Sequence, residues 1–290
     1  ICSACRNIQQ LEFTSNQNVE ICILKQILIA FPDLRYLRHP LPSKEDHLDF
    51  FTIIGQFKNL IRLNFTNRYI KANQNVLTIL ADGCPSLQHI DLGPSAFLDE
   101  DIRYFLEKKK YQLLSFSVRC YISPVTFITL SECTNLEYLI YKNYNVDIPD
   151  TYVHLFSKLS NIKHLSLSRY RDGQSNNIHN IFANNALPYL ITLNISWCDH
   201  MEVETLNAIL LNCPNIKELR IYDDNKLEGG FESIETCSNL KKLTIGCKSI
   251  GDKSFEHIAA GCPQLKELEI KNCDLVTDKA FEYICSGCPL

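Results

Sequence analysis

The sequence predicts a right-handed α/β solenoid, a horseshoe with a parallel sheet on its concave face and helices on its convex face. Three observations predict it. An apolar anchor recurs at Ile8, Leu34, Leu60, Leu87, Leu113, Leu136, Ile162, Leu190, Ile216, Leu240 and Leu265, in steps of 23 to 28 residues. Within each step the apolar period changes from alternate residues to helical spacing. Gly-Cys-Pro then closes the helical half at Gly83, Gly261 and Gly287. A period of this length marks stacked units that cannot bury their apolar faces alone. The expectation is about eleven repeats forming one domain over residues 1–290.

The unit is clearest at its last full copy. Leu265, Leu268, Ile270 and Cys273 give the pattern L-x-x-L-x-L-x-x-C. A strand places Leu268 and Ile270 on one side and Glu267, Glu269 and Lys271 on the other. Ala280, Phe281, Ile284 and Cys285 then form one apolar helical stripe, with Thr277 or Asp278 as N-cap. Ser254, Phe255, Ile258 and Ala259 repeat that stripe, preceded by Gly251-Asp252. The helix is expected to stop at Gly-Cys-Pro because Gly accepts a left-handed cap and Pro cannot continue a helix. Two places weaken the register. His39-Pro40-Leu41-Pro42 stands where the second strand should end, and the short step from Leu113 to Leu136 leaves room for a helix of only one or two turns. Cys288-Pro289-Leu290 begins another unit, so the natural chain is expected to continue past Leu290 and to begin before Ile1.

Composition excludes several classes. A net charge of -4 gives no footprint for nucleic acid or an anionic membrane. No apolar run reaches the roughly 18 residues of a membrane span. No Gly-rich phosphate loop, H-E-x-x-H or G-x-S-x-G occurs, and the eight histidines form no signature with cysteine or serine, so no catalytic site and no cofactor are expected.

Fourteen cysteines admit three readings: packing, zinc and disulfides. Cys5, Cys84, Cys133, Cys213, Cys237, Cys262 and Cys288 stand three residues before an anchor, where other repeats carry Phe31, Phe57, Leu159 and Leu187. Cys198 and Cys273 fill the ninth position of the strand pattern. Packing therefore accounts for nine of them as small hydrophobes. Zinc at Cys2-x-x-Cys5 or Cys285-x-x-Cys288, and disulfides between neighbouring repeats, are the alternatives. The absence of cap-like cysteine clusters points to a reducing compartment, cytosol or nucleus. The sequons at Asn64 and Asn194 fall in strand positions and are read as chance.

The unit C-P-x-L-x-x-L-x-L-x-x-C-x-x-(V/I)-T-D-x-x-(L/F), from Cys262 to Phe281, resembles the cysteine-containing leucine-rich repeat of F-box/LRR proteins and their relatives without an F-box, in the ribonuclease-inhibitor-like superfamily. The likeness is tight in the last two repeats, good from Leu190 to Pro214, and carried elsewhere by the strand pattern. It implies a protein substrate on the concave face. It also implies a Skp-type adaptor and cullin, docked through an F-box that would have to lie outside this chain. Residues 1–7 are too few for one, and Leu41-Pro42-Ser43-Lys44-Glu45-Asp46 falls inside repeat two. A stand-alone inhibitor or scaffold, or a GTPase-activating repeat protein, fits the same repeats.

The variable strand positions write the concave surface. Repeats five to nine give Ser115, Ser117 and Arg119; Tyr138, Ile140 and Lys142; His164, Ser166 and Ser168; Thr192, Asn194 and Ser196; and Glu218, Arg220 and Tyr222, with Arg169 and Trp197 at strand ends. Tyr, Trp and Arg dominate binding energy at interfaces. The expected partner-binding residues are Arg119, Tyr138, Lys142, His164, Arg169, Trp197, Arg220 and Tyr222. Packing of the aromatics on neighbouring strand residues is the plainer reading. Arg119, Lys142, Arg169 and Arg220 could instead hold an anion. Lys242, Glu267, Glu269 and Lys271 read as a solvated mixed-charge surface.

Overall fold

The structure, a computed structural model, describes residues 7–13, 21–41, 47–66, 76–94, 96–142, 154–168, 178–182, 187–196, 201–222, 227 and 229–288. The chain divides into two compact units, Ile1–Leu136 and Glu137–Leu290.

In the first unit strands and helices alternate: β1 (Gln10–Glu12), α1 (Ile21–Ala30), β2 (Tyr36–Pro40), α2 (His47–Ile54), β3 (Arg62–Thr66), α3 (Val76–Gly83), β4 (His89–Asp91), α4 (Asp99–Lys109), β5 (Ser115–Val118) and α5 (Pro124–Ser131). β1 to β4 each pair in parallel with the next strand in the chain. The register runs Leu11, Leu37, Leu63, Ile90, Phe116, so the alternation places one apolar row beside another. Leu37, Leu63, Ile90 and Phe116 are fully buried together with Phe50, Phe51, Leu77, Leu80, Phe105 and Phe127 of the helices. Each such side chain contributes roughly 2 kcal/mol of transfer free energy. β2 runs through the doubtful segment, and Pro40 still pairs opposite Thr66. α5 has eight residues, just over two turns, and is no shorter than α2 and α3, so the short Leu113 to Leu136 step does not cost it a turn.

The second unit contains β6 (Tyr138–Lys142), a 3₁₀ helix (His154–Lys158), β7 (His164–Ser168), α6 (Ile178–Phe182), β8 (Thr192–Ser196), α7 (Val203–Asn212), β9 (Glu218–Tyr222), a second 3₁₀ helix (Glu232–Cys237), β10 (Lys242–Gly246), α8 (Asp252–Gly261), β11 (Glu267–Ile270) and α9 (Asp278–Gly287). Its six strands are again parallel and in chain order. Leu139, Leu165, Leu193, Leu219 and Leu243 form one buried row, and Tyr141, Leu167, Ile195, Ile221 and Ile245 form a second.

The structure corrects the sequence reading at three further points. Two repeats replace the expected α-helix by a 3₁₀ turn. At Glu232–Cys237 the cause is visible: Gly229 at φ 73° and Phe231 at φ 74° spend part of a 24-residue step on a left-handed turn. The Gly-Cys-Pro glycines do not supply left-handed caps. Gly83, Gly261 and Gly287 each end a helix, and the residue after it, Cys262 or Cys288 in the last two, is the C-cap. What requires glycine is the neighbour: a Cβ on Gly83 would stand 2.4 Å from the Gly55 carbonyl oxygen one repeat earlier. Finally, the α9 stripe is only partly covered. Ala280 is buried, but Phe281 is 53% exposed where its counterpart Phe255 is 0%. α9 packs on α8, and no further helix covers its outer side among the described residues.

Candidate functional site

Strand residues that alternate with the buried rows form the open face of the second unit, although Thr244, Ser168 and Ser196 are themselves buried there. Register fixes their order across the sheet. One row is Tyr138, His164, Thr192, Glu218 and Lys242; the next is Ile140, Ser166, Asn194, Arg220 and Thr244; the third is Lys142, Ser168, Ser196, Tyr222 and Gly246. The β6 to β9 members of the first two rows line a shallow basin of about 430 Å³, together with Lys142, Leu139 and Leu165.

Its walls differ in character. Tyr138 is 39% exposed, and its ring stands 5.6 Å from that of His164 at a tilt of 40°. At the opposite wall the Arg220 guanidinium donates to Glu218 through Nε at 2.7 Å, with Nη2 at 2.6 Å from the same oxygen. The floor between carries hydroxyls and one carboxamide. The Ser196 hydroxyl donates to Asn194 Oδ1 at 2.6 Å, which leaves the Asn194 NH₂ aimed elsewhere.

Of the predicted partner-binding residues, the structure brings Tyr138, Lys142, His164 and Arg220 together around this basin. Tyr222 lies outside it and packs on its neighbours. Its ring spreads over Gly246, where an added Cβ would meet Cδ1 at 2.6 Å. The Lys271 ammonium stands 5.5 Å from the ring centroid and donates to the phenolic oxygen at 3.3 Å. Arg119 belongs to the first unit, after β5, where its Nη2 faces Asp91 at 3.6 Å. Arg169 and Trp197 lie outside the described residues.

Two of the four cations read as an anion cluster, Arg119 and Arg220, therefore have carboxylate partners. The charges on β10 and β11 are also paired: Lys242 with Glu267, and Lys271 with Glu269 at 2.8 Å. The hydrogen bond with Lys271 holds the Glu269 carboxyl below its usual range. Sequence reading treats these four as merely solvated, and it misses Gly246. The available signal was register, because Gly246 is the one residue without a side chain beside Tyr222 in an outward row.

The cysteines contribute packing. Cys84, Cys133, Cys213, Cys237 and Cys262 are free thiols buried at 0–1% exposure. Cys84 Sγ donates to the Ile54 carbonyl at 3.3 Å, and Cys237 Sγ to the Leu210 carbonyl at 3.4 Å, each in the preceding repeat. Burial pushes these thiols up to about 11 or 12. At neutral pH they are neither nucleophiles nor thiolate ligands. Cys285 is exposed, Cys288 is half-buried, and Cys2, Cys5 and Cys198 lie outside the described residues. No group of three or more metal-ligating side chains occurs among the described residues, and no helix there is long and apolar enough to cross a membrane.

No protein-family model matches the sequence. Solved structures do match. A chain of the crystal structure of the Rad7 and Elc1 complex in yeast superposes with a TM-score of 0.66 at 16% identity, over 93% of this chain and 75% of that one. An internalin from Listeria monocytogenes gives a TM-score of 0.54 at 13% identity, over 96% of this chain and 85% of that one. Identities this low speak to architecture alone. Together with the repeat register and the parallel, sequentially ordered strands, they show the chain to have the α/β leucine-rich-repeat fold.

Proposed function

We propose that this chain is a protein-binding module, and that its partner sits on the open face of β6 to β9. The basin carries this reading. An exposed tyrosine, a histidine, an aliphatic side chain and a set of neutral polar groups converge there on a sheet whose strands β6 to β9 are paired in succession. Preorganised aromatic and polar groups of this kind bind with little ordering cost. Tyr138, Lys142, His164 and Arg220 are the contact residues proposed in this unit. Arg119, Arg169, Trp197 and Tyr222 are proposed as further contacts or supports.

At a finer level, we propose that the module supplies the substrate-recognition repeats of an SCF-type ubiquitin ligase of the cytosol or nucleus. The resemblance of Cys262–Phe281 to the F-box/LRR repeat supports it, as does the likeness to a chain from a structure in which Rad7 and Elc1 are assembled together. The alternative is a stand-alone scaffold or inhibitor with no adaptor.

One experiment separates them. The protein is expressed in cells as wild type, as Tyr138→Ala, and as Glu256→Ala on the helix side, and associated proteins are quantified. A partner on the open face is lost from Tyr138→Ala by at least about tenfold and kept by Glu256→Ala. A recognition subunit also brings down a Skp-type adaptor and a cullin, and its partner accumulates when the proteasome is inhibited. A partner retained by Tyr138→Ala overturns the location. A partner whose level ignores proteasome inhibition, with no adaptor bound, overturns the ligase assignment and leaves the scaffold.

A further inference from the structure

Charged and neutral polar groups are treated differently on the open face of the second unit. The charged groups of β9 to β11 are matched to one another: Arg220 to Glu218, Lys242 to Glu267, and Lys271 to Glu269 and the Tyr222 phenol. Three neutral groups of the basin are not. The Ser166 and Thr192 hydroxyls and the Asn194 NH₂ have no partner among the described residues, although all three line the basin. A half-buried polar group without an internal partner loses its water when a ligand arrives and needs a replacement bond. Lys142, the other cation lining the basin, is not free either, so the basin asks for hydrogen bonds from its occupant without asking for charge.

Charge complementarity sharpens this. A partner carboxylate approaching Arg220 would crowd Glu218, which already takes two guanidinium nitrogens, and a partner cation would crowd Arg220 itself. Arg220 and Glu218 each already have a counter-ion, so a partner charge gains little there. At the other wall, Tyr138, His164 and Ile140 form an apolar corner that accepts an aliphatic or aromatic side chain. The four strands span three gaps of about 4.8 Å, roughly 14 Å, which matches about four residues of extended chain.

We infer that the basin takes an uncharged, extended polypeptide segment of about four residues from the partner. One apolar side chain seats against Tyr138 and Ile140, while backbone amides or Asn, Gln, Ser or Thr side chains bond to Ser166, Thr192 and Asn194. This rests on the proposal that the open face of β6 to β9 is the binding face, and it adds the chemistry of what binds.

A random dodecapeptide phage library tests it, panned against the whole chain at about 0.05 M and about 0.5 M salt, the latter shortening screening to a few ångströms. Enriched peptides are then measured against wild type, Ile140→Asp, Asn194→Arg and the helix-side Glu256→Ala, each checked for a native circular-dichroism spectrum. The expected consensus is uncharged with one apolar position. It is recovered at both salts, binds Ile140→Asp and Asn194→Arg at least about tenfold more weakly, and is indifferent to Glu256→Ala. A charged consensus that fades at high salt yet still fails on Ile140→Asp overturns the inference and leaves the binding face standing. Peptides indifferent to both open-face variants, or no enrichment at all, overturn both. Should Ile140→Asp fail to fold, Asn194→Arg decides by the same criteria.

Discussion

His39 occupies an inward strand position that Phe65, Leu92 and Val118 fill in the following repeats. It is 1% exposed, its ring 4.9 Å from that of Phe13 and 5.1 Å from that of Phe50, and its Nε2 has no partner. Nδ1 bonds to the Pro40 carbonyl. Burial drives the imidazole down to about 4 from 6.5, against the pull of that carbonyl. Folding therefore requires the neutral ring. Above pH 6.5 both the folded and the unfolded chain carry it neutral, and nothing is lost. As pH falls from 6.5 to 4 the unfolded chain gains a proton that the folded chain refuses, so stability drops across that window and levels off below it. The expected loss is about 3 kcal/mol. Urea midpoints measured from pH 7 to 4 should fall for the wild type and fall less for His39→Leu; parallel curves would show that other groups cause the drop. The residue at this position is legible in the sequence, since the register points it inward. Its consequence is not, because the two rings against it, Phe13 just after β1 and Phe50 of α2, belong to other elements.

Helix starts in neighbouring repeats hold one another in this chain. Asp101, in the first turn of α4, is 1% exposed and accepts from the Leu77 and Thr78 amides of α3 at 2.7 and 2.8 Å, and from the Thr78 hydroxyl at 2.7 Å. It does for α3 what an N-cap side chain does for its own helix. Desolvation pushes its carboxyl above the ordinary range while those three donors hold it back. A second device runs the other way along the chain. Asp99 at the start of α4 accepts from the amide and hydroxyl of Ser123, the N-cap of α5, both at 2.6 Å. Asp252 at the start of α8 likewise accepts from the amide and hydroxyl of Thr277, the N-cap of α9, at 2.8 and 2.6 Å. The Thr-Asp pair of the repeat motif thus has a physical meaning: the Asp of one repeat holds the Ser or Thr of the next. Within a repeat the sequence narrows the cap to Thr277 or Asp278, but it does not show that the carboxylate answering Thr277 lies 25 residues back. Replacing Asp101 by Ala leaves two amides and a hydroxyl without their acceptor, and should cost about 3 kcal/mol. Asp101→Asn, which keeps one acceptor oxygen, should cost less. Denaturation of the two variants checks this, and equal losses would point to packing rather than capping.

Almost every tertiary contact described joins a repeat to the one before or after it. Strands pair only with sequence neighbours within each unit. Amides follow the same rule: Asn59 donates to the Pro32 carbonyl, Gln112 to Pro85, Asn135 to Tyr111 and Asn215 to Pro188. This is why the fold is so legible and the binding surface is not. Core rows repeat in sequence because every repeat solves the same packing problem, whereas outward rows are free to vary and acquire meaning only beside their neighbours, as Gly246 does beside Tyr222. Nearest-neighbour architecture also makes stability local. Leu219 is fully buried in β9, between Leu193 and Leu243. Truncating it to Ala removes buried methyls and leaves a cavity, at a cost of about 3 kcal/mol. If the molecule behaved as one indivisible cooperative block, that loss would accelerate global amide exchange everywhere by the same factor. If interactions are confined to adjacent repeats, exchange quickens chiefly in β8, β9 and β10, and the amides of β2 to β4 keep wild-type protection. Native-state hydrogen exchange on Leu219→Ala distinguishes the two. The contact pattern predicts the local response, and with it that substitutions in the β6 to β9 basin can alter partner binding without unfolding the repeats of the first unit.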